Sequence, residues 1–196
     1  MNSIKISSNF KKYVDFTNEE VDLFFQLARR EIVDKNKYVT VADQDEAYMI
    51  HIDSGCLMTF VNDLANQKHV LQFGVDYWWT GDLESMFINQ KSTQFIKAVE
   101  RTTLYKLDNS SYNKLINSSI KFERYFRILF QNSLISHQKR IIRNISFSAE
   151  ERYKAFAYQF PNIETLVAQK YIASYLGITP EFFSKLKKQL AEKEKR

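Results

Sequence analysis

The apolar and polar positions of the chain fall into successive regimes. From Phe16 to Arg30, FTNEEVDLFFQLARR, the spacing is helical, with Val21, Phe24, Phe25 and Leu27 on one side. Thr17 with Glu20 three residues on forms a capping box, so the stretch is predicted to be a helix. The period then shortens. Residues 38–42 (YVTVA), 48–52 (YMIHI), 56–61 (CLMTFV), 69–73 (HVLQF) and 94–107 (QFIKAVERTTLYKL) are β-branched or aromatic and often alternate, which predicts strands. Asp53-Ser54-Gly55 marks a tight reversal, and Asn62 to Lys68 a polar loop. Many short strands at this spacing indicate a sandwich or jelly-roll barrel.

Helical spacing returns over residues 110–146. Ile128, Ile135 and Ile142 recur every seven residues, and Leu134, Ile141 and Ile145 widen the stripe. That pattern suits either a coiled-coil seam or a helix lying on its own barrel. Ser148-Ala149-Glu150-Glu151 is a second capping box, opening a helix through about Tyr158 and placing a hinge at Phe147 and Ser148. Pro161 and Asn162 end it, and the chain is expected to run directly to Val167.

Gln169 to Leu190, QKYIASYLGITPEFFSKLKKQL, reads as two short helices. Tyr171, Ile172, Tyr175 and Leu176 form the apolar side of the first, and Gly177 accepts the left-handed backbone of a tight turn. Ile178 can plug the space between the helices. Thr179 caps the second, Pro180 suits its first position, and Glu181 faces its positive end. Phe182, Phe183, Leu186 and Leu190 are predicted to face a core, leaving Lys185, Lys187 and Lys188 outside. Two helices, a glycine turn and a basic outer face make a helix-turn-helix signature.

At these residues, IASYLGITPEFFSK, the sequence resembles the C-terminal helix-turn-helix of the Crp/Fnr superfamily of bacterial transcription regulators, especially the branch found in Bacteroidetes-type bacteria. The resemblance implies an α+β chain: a cyclic-nucleotide-binding-like β jelly roll over 1–115, a dimerisation helix over 116–147, and an all-α helix-turn-helix domain over 148–196. Many members carry a terminal β-hairpin wing. Here Leu190 is followed by only six residues, so no wing is expected, and the AEKEKR tail either contacts phosphates or stays solvated and disordered. By the same likeness Thr179, Glu181, Ser184 and Lys185 are candidates for base edges, and Gln169, Lys170, Lys187 and Lys188 for phosphates. Two departures stand out: Pro180 replaces a basic base-reading residue, and Lys185 stands where many members have arginine. A lysine is a point charge and discriminates bases less than a forked guanidinium.

In cyclic-nucleotide-binding members a cassette opens Gly-Glu-Leu and closes Arg-Ser or Arg-Thr. Its glutamate holds the ribose, and its arginine and exposed N–H groups hold the phosphate. The segment GDLESMFINQKSTQFIKAVERTT is similar. Gly81, Asp82 and Leu83 match the opening, while the arginine falls on Ser92 and the hydroxyl on Thr93. Serine cannot neutralise a phosphate, and Asp82 is one methylene short, so the cassette is expected to keep the shape without the nucleotide chemistry.

Charge supports a polyanionic partner. The net +5 is uneven: residues 1–115 hold 13 Lys or Arg against 16 Asp or Glu, residues 116–147 hold 6 against 1, and residues 148–196 hold 9 against 6. The lone Cys56 allows neither an internal disulfide nor a cysteine-ligated cluster, as suits a reducing compartment. The N-terminus MNSIKISSNFKKYVDF has no apolar run after its positive residues, and no stretch approaches the about 18 apolar residues of a membrane span. A cytoplasmic protein is therefore expected, with double-stranded DNA and a second copy of itself as partners, RNA polymerase and a small-molecule effector as further candidates, and no cofactor. The alternative is a metal-dependent jelly-roll enzyme of the cupin type with a helical oligomerisation tail; its support is the incomplete ligand set His51-Ile52-Asp53. A third reading is a ligand-sensing dimer acting through protein contacts alone. Tyr77-Trp78-Trp79 could stack on a ligand or pack the barrel against the long helix.

Overall fold

The structure is a computed structural model and describes residue 10, residues 12–45 and residues 47–193. Both bonds of the first capping box form: Glu20 N donates to Thr17 Oγ1 (3.3 Å) and Thr17 N to Glu20 Oε2 (2.8 Å), opening helix α1, Asn18–Leu27. The helix stops earlier than its apolar spacing suggests. Arg29 and Arg30, predicted to be helical, instead begin strand β1, Arg29–Val33, because pairing with residues 102–106 satisfies their backbone.

The strands that follow are β2 (Tyr38–Thr40), β3 (Met49–Ser54), β4 (Leu57–Asn62), β5 (Lys68–Gly74), β6 (Trp79–Gly81), β7 (Phe95–Ala98) and β8 (Thr102–Leu107), with helix α2 (Leu83–Ile88) before β7. They form two four-stranded sheets, ordered β1-β8-β3-β6 and β2-β7-β4-β5, the jelly-roll arrangement. The run 94–107, predicted as one strand, is divided at residues 99–101. β7 joins the sheet of β2, whereas β8 lies between β1 and β3 in the other. At the β3–β4 reversal Gly55 has φ +108°, and a Cβ there would lie 2.6 Å from Thr102 Oγ1, so glycine is required.

The long helical run is also divided. Helix α3 covers Asn109–Ser118 and α4 covers Ile120–Ser146, so residues 116–118 belong to the first and not to a dimerisation helix. Ser119 between them is extended, with φ −158° and ψ 134°. Its Oγ donates to Glu20 Oε1 (2.7 Å), and Lys121 Nζ meets Glu20 Oε2 at 3.0 Å. The carboxylate that caps α1 thus also holds this break.

The chain divides into two compact units: residues up to Thr59 with Phe73–Ser133, and Phe60–Gln72 with Leu134–Arg196. In the first, Phe10, Phe16, Phe24, Phe122, Tyr125 and Phe126 form an aromatic core with α1 and the first half of α4. Trp79 Nε1 donates to Tyr125 OH (2.9 Å) and its ring lies 5.8 Å from that of Phe126, so this tryptophan packs the barrel onto the helix. A second core of Ile50, Ile52, Leu57, Ile96, Ala98 and Leu104 fills the barrel, with Trp78 against it.

His51 lies inside the first unit, fully buried among Phe10 and Trp79, and neither ring nitrogen has a hydrogen-bond partner. Burial drives its pKa down to about 3 from the ordinary 6.5. Between those values the unfolded chain binds a proton that the folded chain refuses, so stability falls with acidification. The fold is expected to lose about 2 kcal/mol between pH 7 and pH 5 from this residue, and His51→Leu to remove that part of the slope. Urea midpoints at the two pH values measure it.

Candidate nucleic-acid interface and phosphate cassette

The second unit carries the helix-turn-helix. Helix α5, Ala149–Gln159, begins at its capping box, with Glu151 N donating to Ser148 Oγ (3.3 Å) and Ser148 N to Glu151 Oε2 (2.8 Å). A four-residue helix α6, Ile163–Leu166, follows where a direct connection was expected. Its role is to seat Ile163, which is buried; a run of four residues has too little periodicity to be read from sequence. Helices α7 (Gln169–Leu176) and α8 (Pro180–Lys193) make the motif, and Ile172, Ala173, Leu176, Phe183 and Leu186 are buried between them and α5.

Gly177 stops α7 in the left-handed region, φ 68° and ψ 37°. The N–H groups of Gly177 and Ile178 return to Ser174 O (3.1 Å) and Ala173 O (3.0 Å), a Schellman-type closure. Phe182 N then donates to Thr179 Oγ1 (3.2 Å), which caps α8. The hairpin end of β4 and β5 fixes α7 from another side. Ser174 Oγ donates to Lys68 O (3.0 Å) and accepts from Val70 N (2.9 Å), an anchor between residues more than a hundred positions apart.

Thr179 before α8 and Glu181, Ser184, Lys185 and Lys188 on it are exposed, and so are Gln169 and Lys170 on α7. Glu181, Ser184, Lys185 and Lys188 follow the three- and four-residue spacing of one helix face. Backbone N–H at the helix start and the Thr179 hydroxyl hold the Glu181 carboxyl below its usual range. Lys187 is placed differently: it is half-buried and its Nζ pairs with Glu164 Oε2. That ammonium ties α8 to α6. Phe182 also differs from expectation, being 51% exposed where a core position was predicted. Phe183 is buried instead, and Phe182, about 100° round the helix from it, faces outward. Leu190 is half-buried, and the tail is helical through Lys193; residues 194–196 lie outside the described residues.

The cassette lies in the first unit. Gly81 has φ +144°, and a Cβ there would lie 2.2 Å from Tyr48 O. Asp82 caps α2 and is 1% exposed. Its Oδ2 accepts from Ser85 Oγ (2.8 Å), Ser92 Oγ (3.0 Å) and Thr93 N (2.8 Å), while Oδ1 accepts from Ser85 N (3.2 Å). Burial pushes the carboxyl pKa up, but the Thr93 N–H and the Ser85 and Ser92 donors outweigh it and bring it below the usual range. The structure therefore brings together Asp82, Ser92 and Thr93 of the predicted cassette, with the aspartate as the anion at its centre. Gly81 and Leu83 shape the turn and the start of α2.

His51 and Asp53 share the β3 strand, but His51 is enclosed by aromatic rings. Among the described residues no group of three or more His, Cys, Asp or Glu is placed to hold a metal ion. Among them also, no helix is long and apolar enough to cross a membrane. Removing the Asp82 carboxylate strands several buried donors at once. Asp82→Ala is expected to cost about 3 kcal/mol and Ser92→Ala about 1 kcal/mol, read by chemical denaturation.

No family model and no curated protein matches the chain. Solved structures do. FixK2 from Bradyrhizobium japonicum matches with TM-score 0.73 at 15% identity, over 85% of this chain and 86% of that one. The c-di-GMP-responsive global regulator CLP of Xanthomonas campestris matches with TM-score 0.73 at 11% identity, over 91% and 93%. A protein of Eubacterium rectale described as a transcriptional regulator of the Crp/Fnr family matches with TM-score 0.70 at 17% identity, over 91% and 85%. The chain has the fold of Crp/Fnr regulators, a jelly roll followed by a helix-turn-helix.

Proposed function

We propose that this chain is a cytoplasmic, DNA-binding transcription regulator of the Crp/Fnr type that works as a homodimer. The observation that carries the reading is the α8 face: a capped helix whose first turns present Glu181, Ser184, Lys185 and Lys188 to solvent beside a left-handed turn. In a major groove the ionised Glu181 accepts from cytosine N4, Ser184 and Lys185 reach base edges, and Thr179 lies at the helix entry. Gln169, Lys170 and Lys188 fit phosphates, whereas Lys187 contributes through the field it shares with Glu164. Phe182 adds an apolar contact suited to a thymine methyl. Charge agrees with this division: the second unit holds 13 Lys or Arg against 7 Asp or Glu, leaving the first at −1 of the total +5.

The second half of α4 supports dimerisation. Leu134, Ile135, Ile141, Ile142 and Ile145 are 47–81% exposed in the single chain, along a stripe whose earlier member, Ile128, is packed in the first unit. A seam of this kind is expected to be covered by its own copy. The jelly roll is read as a domain that does not take a cyclic nucleotide in the usual way. Asp82 already occupies the N–H and hydroxyl donors a phosphate would need, and two anions cannot share them. RNA polymerase and a small effector remain candidate partners, and the reading requires no cofactor.

Lys188→Ala is expected to weaken binding to all duplexes and to lower the slope of log affinity against log salt by about 0.9, whereas Lys185→Ala relaxes base preference. Selection from a random duplex pool, followed by titration, measures both; a chain that retains no duplex overturns the reading. Addition of cyclic AMP is expected to leave the selected sequences unchanged. Ile142→Asp with Ile145→Asp is expected to shift sedimentation to the monomer while the melting temperature of the jelly roll is kept.

A further inference from the structure

The second unit contains a cleft unrelated to the α8 face. It opens to solvent and is lined by Arg140 and Arg143 of α4, Arg152, Phe156 and Gln159 of α5, and Tyr175 of α7. No carboxylate lines it. Arg140 is held rigidly: its Nη groups donate to the carbonyls of Leu71, Val70 (3.2 Å) and Tyr175 (3.2 Å), and its guanidinium lies 4.2 Å from the Tyr175 ring centroid. Arg152 Nη1 donates to the carbonyls of Asn144 (3.2 Å) and Phe147 (3.1 Å). In both residues the Nε–H is buried and has no acceptor. Arg143 makes no side-chain hydrogen bond or ion pair among the described residues.

Three guanidinium groups are thus gathered, two with carbonyl acceptors alone and the third with none. Carbonyl dipoles fix direction but do not neutralise charge, and burial works against the Arg140 cation, lowering its pKa. Each unpaired buried donor is also unfavourable. A bound anion neutralises the gathered charge. Guanidinium groups match tetrahedral oxyanions through forked N–H pairs, and Phe156 and Tyr175 add aromatic walls beside them.

We propose that this cleft is a binding site for a small phosphate-bearing anion carrying at least two negative charges. Arg143 is the group free to close on it, and the Arg140 and Arg152 side chains that line the cleft supply fixed positive charge. The site is separate from the Asp82 cassette and from the residues assigned to DNA.

Titration calorimetry of the full chain with inorganic pyrophosphate tests the assignment. Saturable binding of one pyrophosphate per chain is expected, weakened about tenfold or more by Arg143→Gln and partly kept by Arg143→Lys. Arg143 has no bond to lose, so the Arg143→Gln melting temperature is expected to stay unchanged without ligand; Arg152→Gln, which loosens the α4–α5 corner, serves as a second variant with its fold checked by circular dichroism. Lys185→Ala is expected to bind pyrophosphate as the parent does. Three outcomes overturn the proposal: no saturable heat at millimolar pyrophosphate, binding indifferent to Arg143→Gln, or binding lost in Lys185→Ala, which would place the anion on the DNA-facing surface. Citrate binding as tightly as pyrophosphate would overturn the phosphate assignment.

Discussion

The left-handed residue between α7 and α8 governs what the C-terminal half can present to a partner. Gly177 sits at φ 68° with nothing within 4 Å of where a Cβ would stand. Its requirement is therefore conformational, since a side chain there is disfavoured by its own backbone. The closing bonds from Gly177 and Ile178 and the Thr179 cap come within a few residues and fix the turn between the helices. The position of α7 is in turn held by Ser174 and Arg140, both bonded to backbone of the β4–β5 hairpin end. Through that chain of fixed groups, a local turn decides which side chains of α8 meet solvent.

The loop around Asp82 is organised by a buried carboxylate. With serine at position 92 there is no resident cation, and Asp82 meets neutral donors only. Charge-assisted hydrogen bonds from hydroxyl and amide groups of Ser85, Ser92 and Thr93 hold this carboxyl below its usual pKa. The N–H groups of Ser85 and Thr93 thereby close the loop on itself.

The long helix divides its apolar surface between two tasks. Phe122, Tyr125 and Phe126 bury into the first unit's core, while Ile141, Ile142 and Ile145 stay exposed. Ser119 separates α4 from α3 because Glu20, already committed to the α1 cap, also draws in the Ser119 hydroxyl and the Lys121 ammonium. Such a break depends on a carboxylate a hundred residues earlier in the chain, and no local pattern records it.

What the sequence determined by itself is local. Thr17 with Glu20, Ser148 with Glu151, and Gly177 with Thr179 and Pro180 act within a few residues, so their caps and turns follow from spacing alone. Alternating strands and the C-terminal motif were legible for the same reason, and with them the jelly roll and the helix-turn-helix. Tertiary structure decided what depends on distant partners. It moved Arg29 and Arg30 into a strand beside β8, split residues 94–107 between two sheets, and turned Phe182 outward while Phe183 took the core. It also placed Lys187 against Glu164, centred Asp82 among Ser85, Ser92 and Thr93, and gathered Arg140, Arg143 and Arg152 into one cleft. Each of these rests on hydrogen bonds or packing between segments far apart in sequence, whose energy exists only once the chain has closed on itself.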